Sequence, residues 1–516
     1  MTDENQNALS RRRLLAGIGV STAGAVTLGA GHGIAEAAPE AGVSVPADRF
    51  GRMFPNLPAF APATNQVRAA MSDIGKRGGI LDARDPLERG PIDLIIDPAL
   101  SVNNRDNPFH TAGTTFLGQF LDHDMTFDTT SPLGVPTAPE TSVNARTPAL
   151  DLDSVYGGGP ISQPSLYNPA DRAKFRIEFG GLFEDLPRAA DRTAIIAEPR
   201  NDENLIISGL HAAFLLFHNR VVDLLRSQGV PESELFTRAR RTVTWHYQWI
   251  IVNEFLRQLC GYGIITDVLA HGRRFYKPEP GPAFIPVEFQ GAVYRVGHTM
   301  IRPSYRANLA GDLGKAFFGF IFDPTQEGSP DPGDLRGRAR APRRFIGWQT
   351  FFDFGDGQMR PNKRMDRRIS TPLFQLPLSA IPSGDNPTSL PQRNLLRHIT
   401  WSLPSGQDIA RAMGIPTLDA SQLPELAGYG LGLDRSTPLW YYTLAESELI
   451  GDGIVLGPMS ARLVAEVFVG LLQRDPNSYL AVQPSWRPTL PSSRPGEFAM
   501  VDLLRFARVD PASRGQ

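Results

Sequence analysis

The spacing of apolar residues predicts a chain built mainly from helices. Residues 203–226 and 233–260 repeat apolar side chains at helical intervals, as in the stripe formed by Leu210, Phe214 and Phe217, and both stretches are long enough for amphipathic helices. Shorter helices are predicted over residues 111–127, 289–303, 405–413 and 457–473. We therefore expect a mainly α fold with long irregular loops and little β structure.

Loop-forming residues separate these helices. The chain has 516 residues, of which 49 are glycine and 45 are proline, and these residues favour turns and loops. Residues 38–110 show little periodicity and are predicted to form an extended N-terminal arm. Residues 111–516 are predicted to form one large domain, because the motifs described below are spread too widely for it to be split.

The N-terminus has the pattern of an export signal. The run Ser10–Leu15 contains three arginines, an apolar glycine-rich stretch follows from 16 to about 30, and residues 35–37 offer a cleavage site. Twin arginines followed by mild hydrophobicity predict a twin-arginine signal over residues 1–37. We expect export to the periplasm, the cell envelope or the medium, with no stable membrane span in the mature chain; an uncleaved anchor is the alternative.

The net charge and the cysteine content bear on the possible binding partners and on the source of stability. The formal net charge is −2 at pH 7, which gives no reason to expect binding to nucleic acid. Cys260 is the single cysteine, so no internal disulfide can form, and stability must come from the core and from bound groups.

A polar cluster in the predicted helix 111–127 is the first indication of chemistry. Gln119 lies four residues before His123, so the two share a helix face, while Asp122 and Asp124 flank the histidine. Such a histidine suits proton transfer. A buried, hydrogen-bonded histidine at a helix end would have the same local pattern.

Three further motifs lie downstream: Arg200-Asn-Asp-Glu203-Asn204 with its apolar helix, Tyr294-Arg-Val-Gly-His298-Thr, and the stretch 146–157, where oxygen-bearing groups alternate. Together with Gly-Gln-Phe-Leu-Asp-His-Asp at 118–124, they resemble the animal-type haem peroxidases of the peroxidase–cyclooxygenase superfamily. The motifs occur in the family's order over most of the chain. By this resemblance the chain is identified as a bacterial, exported member with the helical, single-domain haem peroxidase fold.

The resemblance implies a haem b site and assigns four roles. His298 would be the proximal ligand of the haem iron. His123 would be the distal base, which takes a proton from hydrogen peroxide and returns it to the departing oxygen, with an ordinary pKa of about 6.5. Arg200 would stabilise the negative charge that develops, and Gln119 would order water or a halide.

Further haem contacts are implied by the same comparison. Asp122 and Glu203 match the two acids that form ester bonds to haem in this family, which implies a covalently held haem. Asn204 stands where one branch has a methionine that forms a third bond, so no sulfonium link is expected. Arg295 would contact a haem propionate. The alternative for Asp122 and Glu203 is that they are plain helix-end or ion-paired acids, and the alternative for Arg295 is an ordinary surface or ion-paired arginine.

The amide partner that the family's proximal histidine usually has is not identified by any motif. Gln375 and Asn394 lie in the right region of the sequence, and nothing in the pattern distinguishes them.

A calcium site is implied by Asp124 and the 146–157 stretch. Side chains of Thr147, Asp151 and Asp153, with the carbonyls of Thr147 and Ala149, could supply oxygen ligands, which are the ligands calcium prefers. The alternative is a solvated acidic turn.

The leading hypothesis is an exported haem peroxidase that reduces hydrogen peroxide and oxidises small organic donors or halides. Fatty-acid oxygenation is the alternative within the superfamily. It is disfavoured because lipid-oxygenating relatives have a tyrosine three residues before the proximal histidine, where this chain has Arg295, and Tyr294 would face elsewhere. Two other hypotheses are a non-catalytic binding or adhesion protein on this scaffold, and a hydrolytic metal site at Asp122, His123 and Asp124.

Overall fold

The computed structural model of the protein describes residues 48–179, 184–338 and 341–509. All of these described residues belong to one compact unit. The predicted export signal at 1–37 lies outside the described residues.

Helices provide most of the regular structure, which confirms the mainly α prediction. We number the α-helices in chain order: α1 Asn65–Ile74, α2 Gly90–Ile96, α3 Ala112–Met125, α4 Asp153–Tyr156, α5 Gly159–Ser162, α6 Leu205–Ser227, α7 Glu232–Ile250, α8 Leu256–Cys260, α9 Tyr262–His271, α10 Val287–Gly291, α11 Leu390–Thr400, α12 Gly406–Ala412, α13 Pro424–Ala427, α14 Leu439–Leu449, α15 Pro458–Arg474, α16 Tyr479–Val482 and α17 Met500–Ala507. Two 3₁₀ helices bear on the site, Pro199–Asp202 and Val293–Met300.

The strands are short and form only two-stranded sheets within the described residues. β1 Phe50–Gly51 pairs in parallel with β7 Ile285–Pro286, and the other four pairs are antiparallel: β2 Asp106–Thr111 with β10 Pro361–Lys363, β3 Tyr167–Asn168 with β4 Asp171–Phe175, β5 Glu178–Phe179 with β6 Glu184–Asp185, and β8 Ser304–Asp312 with β9 Lys315–Phe320.

Helix α6 lies at the centre of the core and packs against α3, α7 and α17. It begins at Asn204, whose side chain accepts hydrogen bonds from the backbone N–H groups of Ile206 and Ile207, as expected of a helix N-cap. Among the described residues, α6 is the one helix long and apolar enough to cross a membrane, and 78% of its most apolar window is buried inside the protein. This burial fits a core helix.

Two predicted helices are interrupted. Between α7 and α8 the chain forms a π-helix, Ile251–Phe255, which turns Phe255 towards Gly118 of α3. The predicted helix 289–303 is instead α10 followed by the 3₁₀ helix Val293–Met300, with a break at Ala292. Ala292 has φ −141° and ψ −74°, which are not helical angles, so a continuous helix cannot form there.

The segment before α3 contains helices as well as extended chain. Helix α1 buries Val67, Met71 and Ile74 and packs against α11. The sequence did not predict this helix, because the residues of α1 other than these three are polar or small and form no wide apolar stripe. The segment is thus part of the core, and its boundary at residue 110 stays a prediction.

Candidate functional site

A cavity of about 580 Å³ lies between α3, the start of α6, the 3₁₀ helix Val293–Met300 and α11. It brings together every residue that the sequence predicted for catalysis or haem contact: Gln119, Asp122, His123, Arg200, Glu203, Arg295 and His298. Apolar side chains line part of the remaining wall, among them Phe255, Leu259, Ile321 and Phe322, and polar groups line the rest, among them Asp128, Ser131, Asp385 and Arg393.

His123 projects from the last turn of α3 and is held by an amide. Its Nδ1 lies 2.8 Å from Oδ1 of Asn201, and Nδ2 of Asn201 lies 2.9 Å from Nδ1 of His211. Since an amide oxygen only accepts hydrogen bonds, the proton of His123 resides on Nδ1. The other ring nitrogen, Nε2, is therefore free to accept a proton in the cavity.

The charge state of His123 differs from the sequence expectation. Burial, followed by the positive charge of Arg200, lowers the pKa of His123 to about 3, well below the ordinary value of about 6.5. The imidazole is consequently neutral at physiological pH and ready to act as a base.

Arg200 is fixed by an acid that the sequence analysis did not identify. Its Nε and Nη2 donate to the two carboxylate oxygens of Glu198 at 2.9 and 3.1 Å, and Nη2 also donates to the carbonyl of Thr126 at 2.6 Å. Burial opposes ionisation of Glu198, but the charges of Arg200 and Arg146 hold its pKa at about 2. The guanidinium also lies over the ring of Phe127, 4.2 Å from its centroid.

Glu203 lies beside both Gln119 and His123. Nε2 of Gln119 donates to Oε1 of Glu203, and the same oxygen lies 3.9 Å from Nε2 of His123. Removal from bulk water raises the pKa of Glu203 to about 8 in spite of the nearby Arg200. Asn204 donates to Oε1 of Gln119 at 3.3 Å while it caps α6, so the amide at this position has a structural role.

Asp122 is the second acid on the cavity wall. Its Oδ1 accepts a hydrogen bond from Oγ1 of Thr126 at 3.1 Å, and its Oδ2 lies 3.8 Å from Nη1 of Arg200. Removal from bulk water raises its pKa, and the charges of Arg200 and Arg295 oppose this shift. Both cavity acids thus favour their neutral form relative to acids in water.

His298 contacts Asn394, which resolves the choice that the sequence left open. Nδ2 of Asn394 lies 2.7 Å from Nδ1 of His298, and Oδ1 of Asn394 accepts a hydrogen bond from Nη1 of Arg295 at 3.2 Å. Gln375 is exposed and accepts instead from Arg77. In this contact the amide N–H of Asn394 donates to Nδ1 of His298, so the neutral ring carries its proton on Nε2. Nε2 becomes free for a ligand in the cavity when the amide turns over and its Oδ1 accepts from the N–H at Nδ1.

His298 and Arg295 are both largely removed from bulk water, and this desolvation lowers the pKa of each. Removal from bulk water, followed by the charge of Arg295, lowers the pKa of His298 to about 3, which keeps the ring neutral as a metal ligand must be. Within the described ranges no carboxylate pairs with Arg295 at ion-pair distance, and its pKa is lowered to about 10 by desolvation and by Arg397.

Three carboxylates meet beside α3 on the other side of His123. Ligand oxygens of Asp124, Asp151 and Asp153 all lie within 4.8 Å of one another. Thr147 donates its backbone N–H to Asp153 at 3.1 Å, and Ala149 donates to the carbonyl of Thr147 at 2.7 Å, so all five predicted calcium residues belong to one neighbourhood.

Mutual repulsion and burial act together in this acidic cluster. Burial, followed by the charge of Asp153, raises the pKa of Asp151 to about 6. Burial, followed by the charges of Asp153 and Asp151, raises the pKa of Asp124 well above its usual value. Asp124 also accepts hydrogen bonds from Oγ of Ser154 at 2.7 Å and from Tyr247 at 3.0 Å. A cation would relieve this repulsion.

Comparison with known proteins finds a family model that matches part of the chain. The family model described as animal haem peroxidase matches residues 128–314. A chorion peroxidase from Aedes aegypti is 24% identical over 381 residues, which cover 70% of this chain and 44% of that protein. These matches support a relation to the peroxidase–cyclooxygenase superfamily. The chain spans less than half of the length of the curated relatives it matches.

Two solved structures share the fold of this chain. Peroxidase A from Dictyostelium discoideum superposes with a TM-score of 0.61 at 16% identity, over 89% of this chain and 92% of the other. The fatty acid alpha-dioxygenase of Oryza sativa gives a TM-score of 0.51, also at 16% identity, over 77% of this chain and 74% of the other. At these identities the likeness concerns the fold alone.

The family match covers part of the candidate site. The family match includes Arg200, Glu203 and His298, and it begins four residues after Asp124, the last acid of α3. The hydrolytic-metal hypothesis loses support, because the one group of acids and histidines that could hold a metal in the described chain contains Asp124 without His123.

Proposed function

We propose that the protein is a haem peroxidase that reduces hydrogen peroxide and oxidises small organic donors and halides. The observation that carries this proposal is the pair of neutral histidines on one cavity, His123 and His298, each held through Nδ1 by an asparagine. One histidine is then available as a ligand and the other as a base.

The residues of the cavity fit haem b. His298 offers Nε2 as an axial ligand, apolar walls suit the porphyrin, and Arg295 supplies a positive charge without a carboxylate partner at ion-pair distance among the described residues, as a propionate requires. A haem bound there would supply the redox chemistry that splits the peroxide bond.

The protein groups would then handle protons and charge. Nε2 of His123 would accept the proton of the peroxide oxygen that is retained and deliver it to the other, departing oxygen as water forms. Arg200, held rigid by Glu198, offsets negative charge on the departing oxygen. Gln119 positions Glu203 and the solvent beside His123.

We also propose that Asp122 and Glu203 form ester bonds to the haem. Both acids line the cavity, and the raised pKa of each favours an uncharged form, which an ester also has.

In acid–acetone extraction we expect wild-type protein to retain haem, and the double variant Asp122→Asn/Glu203→Gln to release it, because neither amide can form the ester. Asp128→Asn is the matched control, since Asp128 lines the same cavity but is assigned no bond to haem. The ester proposal is wrong if the double variant retains as much haem as the wild type, or if the wild type releases all of it.

The acidic cluster is proposed to bind calcium. Three carboxylates within 4.8 Å and the loop carbonyls form a set of hard oxygen ligands. Binding would tie the loop to α3 and fix the helix turn that carries His123.

Calcium added to chelator-treated protein is expected to raise the midpoint of thermal unfolding. A ligand present at about 100 times its Kd contributes about 2.7 kcal/mol. Asp151→Asn should remove most of this shift, whereas Asp223→Asn, which breaks a surface ion pair with Lys174, should leave it intact. An equal shift in Asp151→Asn and wild type would refute the site.

Fatty-acid oxygenation is the second candidate, because Tyr294 lines the same cavity, contrary to the expectation that it faces elsewhere. Its hydroxyl donates to the carbonyl of Gly118 at 3.0 Å, and a backbone carbonyl does not act as a base for the phenolic proton. This contact favours peroxidase chemistry.

The two activities separate in one experiment on the haem-loaded protein. We expect peroxide-dependent oxidation of a small phenol or of iodide, and no oxygen uptake with an unsaturated fatty acid in the absence of a donor. Oxygen uptake that is lost in Tyr294→Phe, without phenol oxidation, would establish the oxygenase instead.

We further propose that the mature enzyme is exported by the twin-arginine route. Localisation of an epitope-tagged protein, before and after deletion of residues 1–37, tests this proposal.

A further inference from the structure

Trp440 connects the His298 segment to helix α14. The indole is fully buried, and its Nε1 donates to the carbonyl oxygen of Arg295 at 3.1 Å. Arg295 lies three residues before His298, which is one turn of the 3₁₀ helix. An oxidisable side chain is therefore held one helical turn from the predicted haem ligand.

Tyr441 continues this connection towards the solvent. It follows Trp440 in the chain, is 1% exposed, and donates its hydroxyl to Oε1 of Glu425. Glu425 also accepts from Nη1 of Arg367 at 2.6 Å, and the side chains of Glu425 and Arg367 are 27% and 17% exposed. The phenol thus ends at a carboxylate that reaches the surface.

The acceptor matters because a phenol that loses an electron also gives up its proton. The carboxylate of Glu425 can take that proton. Tyr294 lines the cavity but donates to the carbonyl of Gly118, and Tyr442 accepts a hydrogen bond from the N–H of Leu418, so neither phenol has a base at its hydroxyl in these contacts. Tyr247 also donates to a carboxylate, that of Asp124, but Asp124 is fully buried. Tyr441 is the phenol beside the His298 segment whose carboxylate partner is partly exposed to solvent.

We infer that Trp440 and Tyr441 relay electrons from the Glu425–Arg367 surface to the haem site, so that the protein oxidises phenols too bulky to enter the cavity. This inference rests on the proposed peroxidase function and names a class of donor for it. Phenols are the expected donors at the Glu425–Arg367 surface, because the oxidation of a phenol releases both an electron and a proton.

The electrons and protons balance with hydrogen peroxide as the oxidant. Reduction of one peroxide to two waters takes two electrons and two protons. In each one-electron step Tyr441 passes an electron inward through Trp440, and its hydroxyl proton moves to Glu425. A phenol at the surface then gives one electron to Tyr441, which takes its proton back from Glu425 and so restores the carboxylate. The phenol's own proton passes to the solvent, the solvent supplies the two protons taken up at the peroxide, and two phenols become phenoxyl radicals per peroxide.

The test compares two donors that share one reactive group: free tyramine and tyramine coupled to a large dextran. With haem-loaded protein and peroxide, Tyr441→Phe should lose oxidation of the dextran-bound phenol relative to that of free tyramine. Glu425→Gln, a change at a partly exposed side chain, should have the same effect. Tyr442→Phe is the matched control and should behave like the wild type for both donors.

A second readout does not depend on turnover of a donor. After peroxide is added with a spin trap and no donor, mass spectrometry should find the adduct on Tyr441, and Tyr441→Phe should lack it. An unchanged ratio of the two oxidation rates in Tyr441→Phe, or an adduct absent from wild-type Tyr441, overturns the relay. If the wild type oxidises neither donor, the proposed peroxidase function fails, whereas failure with the dextran donor alone overturns only the relay.

Discussion

Replacement of His298 by alanine is expected to abolish normal haem binding. The variant removes the one imidazole that faces the cavity with its Nδ1 held by Asn394, so the iron loses its protein ligand. The loss in affinity should exceed the roughly 10- to 100-fold that removal of a metal ligand's hydrogen-bonding partner costs. Asn394→Ala should fall in that smaller range. Haem titration followed by the Soret band measures both.

Two controls separate ligand loss from misfolding. Imidazole added to His298→Ala should restore a haem spectrum, because it can occupy the space of the missing ring. His271→Ala changes an exposed histidine on α9 and should bind haem normally. Wild-type haem affinity and spectrum in His298→Ala would show that another residue is the ligand.

Replacement of His123 by alanine should leave haem in place but slow the reaction with hydrogen peroxide by at least about 10², the lower bound for loss of a general acid–base group. His123 supplies the one ring nitrogen that Asn201 leaves free to take a proton in the cavity. Stopped-flow mixing with peroxide measures the rate. A rate within a few-fold of wild type would remove His123 from the mechanism.

The pH dependence provides an independent check on the same residue. Because burial lowers the pKa of His123 to about 3, its neutral, basic form is fully populated well above that pH. The wild-type rate should therefore not fall between pH 8 and pH 5. A histidine with an ordinary pKa of about 6.5 would lose its basic form within that range, and a decline centred there would contradict the assignment.

The sequence predicted the residues of the site better than their partners. Gln119 and His123 are four residues apart on α3, and their common face follows directly from helix geometry. Asn201 lies inside a motif that was interpreted only through Arg200 and Glu203. Its contact with His123 spans 78 positions, and no local periodicity indicates such a pairing.

The same limit applies to Asn394 and Glu198. Asn394 reaches His298 across 96 positions from α11, and Gln375 was an equal choice until the fold placed it at the surface. Glu198 precedes its motif by two residues, and its role depends on burial beside two arginines. The pKa of His123 was missed for the same reason, since desolvation is a property of the packed structure.

The sequence predicted helices correctly where the apolar stripe is long. It failed where tertiary contacts determine whether a segment is helical. Helix α6 follows its stripe closely. Helix α1 has only a narrow apolar face that packs on α11, and the π turn at Ile251–Phe255 gives no sequence signal. Its effect, the placement of Phe255 on the cavity wall, appears only in three dimensions.

The absorption spectrum of the purified, haem-supplied protein before and after hydrogen peroxide tests the central claim most directly. We predict a strong Soret band that shifts when peroxide is added and returns when a phenol donor follows. A protein with no Soret band, even after haem is supplied during expression, would contradict the haem peroxidase proposal and support a non-catalytic binding protein on this fold.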